Sequence, residues 1–364
     1  MRTPSLWRRL TTRGRLFIWF WLAVAAVGAI LAARLHFIRP PHPSIAQWNA
    51  DVARHHLKGE HNTILPPQMA LLEKHNGTGG FPLPMTGPHG QTARQIYAAP
   101  TVDVPPGTPM VAVLVEGISQ PDDQTTDALA SLPGPISVAF SPYLSGADTL
   151  METARQHQHE TLLVLPMQAT NKPAPTATPQ TPLADDAGPR AISLLNSAQQ
   201  NTENLNWVLS RMAGYVGVVG TPTGPNENAL LHSQDFTNLL NTLDKRGLLY
   251  VNGATDQAIS GPGLLGQADV QINADTDIVG IDIQLLKLQQ AARRNGHAIG
   301  VINPLRPVAL ACLRAWIAHL QDIGIALVPV SQLILPPDPA DTPPATPTGS
   351  MRVNLAPPTA TQGR

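Results

Sequence analysis

The sequence predicts an α/β fold: an irregular, seven-stranded (β/α) barrel that follows an N-terminal transmembrane helix. Two observations predict the barrel. Short apolar runs that stop at a turn residue alternate with stretches whose apolar residues recur at helical spacing, and such alternation gives a mostly parallel sheet. Seven of these runs fall between Met110 and Leu335, a density that suits a barrel better than an open sheet. The third observation is Leu16 to Ala33, uncharged and almost wholly apolar, which reaches the lower range for crossing a bilayer.

The Arg residues at 2, 8, 9, 13 and 15 precede that segment, whereas Arg34 and Arg39 follow it. The excess before the span puts the N-terminus in the cytoplasm and the rest in the periplasm of a Gram-negative cell, on a single-pass inner-membrane anchor. A cleaved signal peptide is the rival reading, because Ala25, Ala26, Ala29, Ala32 and Ala33 offer small-residue cleavage sites. The organisation is then a cytoplasmic stretch over 1–15, an anchor over 16–34, a Pro/Gly-rich stalk over 35–109 with little core of its own, the domain over 110–335, and a disordered Pro/Thr/Ala tail over 336–364.

The first strand is MVAVLVEGIS, Met110 to Ser119, apolar until Glu116 and Gly117 end it. Ile136 to Phe140 is the second, closed by Pro142. Leu150, Met151 and Ala154 share a helix face, and Thr161 to Leu165 is the third strand, stopped by Pro166. Asn171 to Pro189 is a loop of Pro, Thr and Ala. Leu205, Val208, Leu209 and Met212 mark an amphipathic helix, and Tyr215 to Val219 a strand. Phe236, Leu239, Leu240 and Leu243 repeat the helical spacing, capped by Gly247, before the strand Leu248 to Val251. Leu285, Leu288 and Ala292 form the next helix, ended by Gly296, and Ala298 to Ile302 is a strand. Leu313, Trp316, Ile317 and Leu320 form the last helix, ended by Gly324, before a final strand over Ala326 to Val330. Right-handed crossovers put every carboxyl end on one face, so Glu116, Pro142, Pro166, Gly220, Asn252 and Asn303 ring one mouth.

Composition excludes several classes of function. Apolar residues are 43% of the 364, enough for one large core. The formal net charge of −1 leaves no nucleic-acid footprint. Cys312 is the sole cysteine, which rules out a disulfide framework and a thiolate metal site and makes it a packing group. Other polar clusters have ordinary readings. His56, Glu60 and His61 read as a solvated helix end. Asp122 and Asp123 read as a helix start, where acids meet orphan N–H groups. Asn273, Asp275 and Asp277 alternate like a calcium loop, but Ile278 and Gln284 stand where Gly and Glu are needed. His157 and His159 read as surface residues at a helix end, and His232 and His297 as helix-end residues without partners at metal spacing.

Several motifs together resemble the divergent polysaccharide deacetylases, relatives of metal-dependent carbohydrate esterases. They are ISVAFSPY at Ile136 to Tyr143, ARQHQHETLLVLPM at Ala154 to Met167, GPRA at Gly188 to Ala191, GYVGV at Gly214 to Val218, DKRGLLYV at Asp244 to Val251, and LVPVSQL at Leu327 to Leu333. The resemblance implies a carbohydrate-related hydrolase fold in the cell envelope. It also implies polar positions that this chain lacks. The family's Asp pair falls at Glu116 and Gly117, and its strand His at Val164. Its Asn-His-Met-Gly falls at Val219 to Pro222, its later Asp residues at Asn252 and near Asn273, and its His-Pro at Asn303-Pro304.

A deacetylase of this kind needs a divalent metal, such as zinc, and a carboxylate base. Asn keeps the shape of Asp without its charge, and Val164 cannot ligate at all. The expectation is therefore a membrane-anchored pseudoenzyme with no cofactor, which binds a glycan or an envelope protein partner. Glu116 is the candidate catalytic residue, and Asn252, Asn303, Thr221 and Asn273 are the candidate binding residues. The alternatives are an active carbohydrate deacetylase that depends on zinc or another divalent metal held by displaced ligands, and a purely structural envelope scaffold.

Overall fold

The computed structural model describes residues 63–169 and 187–336. The expected anchor, the first part of the stalk, most of the Pro/Thr/Ala loop and nearly all of the tail lie outside the described residues. Among the described residues no helix is long and apolar enough to cross a membrane.

From residue 63 the segment expected as a stalk lies on the domain instead. A 3₁₀ turn, Met69–Leu71, leads into the antiparallel pair β1 (Leu72–Asn76) and β2 (Pro82–Pro84), followed by the short helix α1 (Ala93–Ile96). Leu71, Leu83, Ala93 and Tyr97 are buried in the same core as the strands that follow. They are too far apart for a periodic pattern, which is why the sequence conceals them.

β3 (Met110–Ile118) is the centre of the sheet. Val111 to Val115 are all buried, as both faces of a parallel strand are when helices cover them. The helix α2 (Asp123–Ser131) starts on the expected acids, with the Asp122 carboxylate accepting from Thr125 N at 2.8 Å. β4 (Ser137–Phe140), α3 (Ala147–Gln156) and β5 (Thr161–Val164) follow as predicted. Two short strands, β6 (Met167–Gln168) and β7 (Ile192–Ser193), pair with each other at the two ends of the Pro/Thr/Ala loop.

The helix α4 (Ala198–Leu209) opens on a capping box. Ser197 Oγ accepts from Gln200 N, and the Gln200 side chain accepts from Ser197 N, a device worth about 1 kcal/mol. β8 (Gly217–Gly220), the short α5 (Glu227–Leu231), α6 (Gln234–Lys245) and β9 (Leu249–Asn252) come next. Phe236, Leu239, Leu240 and Leu243 of α6 are all buried, each contributing roughly 1.5–3 kcal/mol relative to exposure. β10 (Leu265–Gln267) and β11 (Val270–Asn273) precede α7 (Ile278–Asn295), which Gly296 ends in the left-handed conformation. β12 (His297–Asn303), α8 (Pro307–Leu320), β13 (Ala326–Leu327) and α9 (Val330–Ile334) complete the described chain.

The main sheet is wholly parallel, in the order β10-β9-β8-β5-β4-β3-β12-β11, with β13 beside the start of β3. All seven predicted runs lie in it. β10 and β11 were not legible, because LGQ and VQIN are too short and too polar to stand out. They are consecutive in the chain yet sit at opposite ends of the strand order, so the sheet curls until both ends meet one segment. Ala268 N donates to Asn252 O on one side, and Asp269 N donates to Ile299 O on the other. The last predicted strand is shorter than expected. Pro329 cannot extend a ladder, and helix α9 begins directly after it.

Candidate functional site

Since every main strand is parallel, Glu116, Phe140, Val164, Gly220, Asn252 and Asn303 end on one side of the sheet. Glu116 reaches that mouth through a break in register. Val115 pairs with Val138 and Ile118 with Phe140, so β3 carries one residue more than β4 between these points. Gly117 takes a φ of +80° within that bulge, a conformation open to glycine. Bulges of this kind re-aim a side chain, and here the re-aimed one is Glu116. A Cβ on Gly117 would also come within 2.9 Å of Asn303 Oδ1, so Asn303 lies directly over this turn.

Glu116 is only 2% exposed. Among the described residues its carboxylate has one donor, the Thr221 hydroxyl, at 3.1 Å from Oε1 and 2.9 Å from Oε2. Thr221 follows β8 and needs Gly253 beside it, where a Cβ would meet Thr221 Oγ1 at 1.9 Å. Burial pushes the Glu116 pKa up to about 7, and the Thr221 hydrogen bond offsets only part of that rise. A group so placed changes charge near neutral pH. Burial raises the Tyr250 phenol, and the neighbouring Glu116 charge adds to the rise. Tyr250 is the site neighbour that sequence reasoning missed. A tyrosine inside an apolar strand gives no signal beyond packing.

The other candidates divide. Thr221 and Asn303 lie beside Glu116. The exposed Asn303 amide makes no hydrogen bond to a described residue. Asn252 is fully buried, and its amide donates to the carbonyls of Ala254 and Gln257 and to Gln267 Oε1, which fixes the turn after β9. Asn273 is exposed and pairs in register with Asn303. Its Oδ1 accepts from Asp275 N, its backbone N–H donates to Gln284, and Asp277 caps α7 through Gly280 N. The calcium-like triplet is thus a turn and a helix cap.

Two histidine readings are corrected. His159 is fully buried, with Nδ1 2.8 Å from Ile136 O and Nε2 2.9 Å from Leu129 O. It lies before β5, away from the mouth, because the chain turns inward after α3. His297 opens β12 rather than ending a helix. Glu160, which follows His159 in the chain, is a second buried acid, at the end of the sheet away from the mouth. It accepts from Ser137 Oγ at 2.7 Å, Ser331 N at 2.9 Å, Ala99 N at 3.2 Å and the Ser331 hydroxyl.

A divalent metal at the mouth would need several charged or imidazole ligands. Among the described residues no three His, Cys, Asp or Glu side chains form a group that could hold one. Glu116 with Thr221 and Asn303 is one carboxylate with neutral oxygens, a poor fit for an ion that favours imidazole and carboxylate together.

The sequence profile described as divergent polysaccharide deacetylase matches residues 113–334. An uncharacterized protein from Agrobacterium tumefaciens C58 is similar in structure, with 27% identity and a TM-score of 0.59 over 69% of this chain and 99% of that one. The catalytic domain of a peptidoglycan N-acetylglucosamine deacetylase from Eubacterium rectale has 12% identity and a TM-score of 0.38, over 63% of this chain and 91% of that one. A peptidoglycan deacetylase from Bacillus subtilis has 13% identity and a TM-score of 0.32, over 63% and 92%. No match to a curated protein was found.

Proposed function

We propose that this chain, which belongs to the divergent polysaccharide deacetylase family, binds a glycan at the mouth of its curled sheet without hydrolysing it. The observation that carries the reading is the donor set around Glu116. The Thr221 hydroxyl and the exposed Asn303 amide suit hydrogen bonds to sugar hydroxyls, with the buried Glu116 carboxylate behind them accepting from Thr221. They do not supply the ligands and base of a metal-assisted deacetylation.

The full-length protein should bind hexa-N-acetylchitohexaose, release no acetate from it and hold less than stoichiometric zinc. Glu116→Gln should leave that affinity unchanged, because a neutral amide still accepts and donates hydrogen bonds. A second reading, an active deacetylase with displaced ligands, draws on the Glu116 pKa near 7, which suits a general acid or base. Acetate release that Glu116→Gln abolishes would establish that reading and end the first.

The same proposal places the domain in the periplasm, held by Leu16 to Ala33, where a glycan or an envelope protein partner is within reach. A reporter active only in the periplasm, fused after Leu335, is expected to work. Activity of a cytoplasmic reporter at that position would refute the topology.

A further inference from the structure

Beside the mouth lies a cluster that the Glu116 site does not use. Tyr143, three residues past the end of β4, is 39% exposed. Its ring stands 5.6 Å from that of Trp207 on α4, with the planes tilted by 37°. Two guanidinium groups flank the indole, Arg190 Cζ at 5.6 Å and Arg211 Cζ at 5.1 Å from its centroid. We propose that this cluster is a binding subsite for a saccharide that carries a carboxylate.

The platform is held rigidly. The Tyr143 hydroxyl accepts from Arg190 N at 3.1 Å and lies 3.4 Å from Ala187 O. Gly188 lets the backbone pass where a Cβ would come 2.7 Å from that hydroxyl. Arg211 is fixed by Pro142 O and Gly79 O, each at 2.8 Å. The Arg190 side chain differs. It is exposed and makes no hydrogen bond or ion pair with a described residue. Five arginines elsewhere do meet a carboxylate: Arg94, Arg155, Arg246, Arg306 and Arg314.

A guanidinium stacked on an indole keeps its N–H fork free at its edge, the geometry that takes a carboxylate through two parallel bonds. The exposed aromatic face beside it suits the C–H face of a pyranose ring. Two cations flank the indole, while Glu203, one turn earlier on α4, accepts from the Gln199 amide at 2.8 Å, and this excess of positive charge favours a charged sugar over a neutral one. The ligand class follows from these two features together, and the choice of a sugar over other anions rests on the glycan-binding reading above.

Calorimetry on the full-length protein tests the proposal with a galacturonic acid hexamer against hexa-N-acetylchitohexaose. The acidic hexamer should bind at least about tenfold more tightly, and Arg190→Gln should weaken it by about tenfold or more, the usual loss when a charged hydrogen bond is removed. The same variant should leave the neutral hexamer unaffected. The Arg190 side chain is exposed and meets the described chain through the Trp207 ring without a hydrogen bond or ion pair, so the variant is expected to fold, and near-ultraviolet circular dichroism checks it. Equal affinity for both hexamers, or no effect of Arg190→Gln, overturns the subsite. If only the neutral hexamer binds, the glycan-binding reading survives and this one falls; if neither binds, both fall. A poly-glutamate peptide or a single-stranded DNA binding as tightly through Arg190 would mark a general anion patch and overturn the saccharide assignment.

Discussion

Between about pH 5 and about pH 8 the wild-type protein is expected to lose roughly 2–3 kcal/mol of stability that the Glu116→Gln variant does not lose. The pKa of Glu116 rises from an ordinary 4.5 to about 7 on folding. In that interval the folded chain therefore binds more protons than the unfolded chain, and stability falls as pH rises. Below the ordinary value both states are protonated and no cost arises. Above the folded value the full cost of a buried charge is present. Glutamine keeps the shape and can still accept from Thr221, but it never ionises. For a domain of this size the difference between the two melting temperatures should widen by on the order of 5–10 °C across the interval. Melting curves of both proteins at a series of pH values measure it, and parallel curves would show that Glu116 is not buried as a charge.

Glu160→Gln should be the more damaging of the two glutamate substitutions. Glu116 meets one donor; Glu160 meets four, from Ser137, from Ser331 twice and from Ala99. The Ser137 hydroxyl in turn accepts from Val330 N at 3.1 Å, so one carboxylate ties β4, β5, α9 and the segment before β3. Glutamine can accept with only one of its two ends, and its amide would face donors. Leaving buried donors without their acceptor typically costs about 1–3 kcal/mol each, a large part of the roughly 5–15 kcal/mol that holds a domain together. Urea unfolding should show the loss as a lower midpoint. A change below about 1 kcal/mol would mean that the donors find other partners, the ordinary net worth of a single hydrogen bond.

The contrast between these two acids shows how far the sequence could be read. The strand runs around Val111, Val138, Leu162, Val218 and Val301 were legible because parallel strands are buried on both faces and hence continuously apolar. Glu116 was legible as a charge at the end of such a run. Its bulge was visible only as the following Gly117. Glu160 was not legible at all: it sits at the start of a strand next to a histidine, and its four donors come from positions 99, 137 and 331, which no local pattern connects. Tyr250 was hidden for the same reason, since its partners Met167 and Gly220 arrive from other strands; Asn252 was legible as a strand-end amide, but not its part in fixing the turn through Ala254 and Gln257. The closing segment 265–273 escaped because its pairing is divided between two strands, so neither half is long enough to imprint a period of two.

The place of β3 in the sheet has a bearing on how the chain acquires its structure. Its Met110 pairs with His297, a separation of 187 residues (297 − 110). A nascent chain emerging from the ribosome N-terminus first can set β4, β5, β8 and β9 side by side in order, each next to one already made. β3 gains its second neighbour only when residues 297–303 have been synthesised, and the donors of Ser331 and Val330 arrive later still. Until then Val111 to Val115, wholly apolar, form an unpaired edge, the kind of surface that recruits other chains. Long-range closure of this sort is slow, so the interval between the synthesis of β3 and that of β12 is when this protein most needs a chaperone's cover.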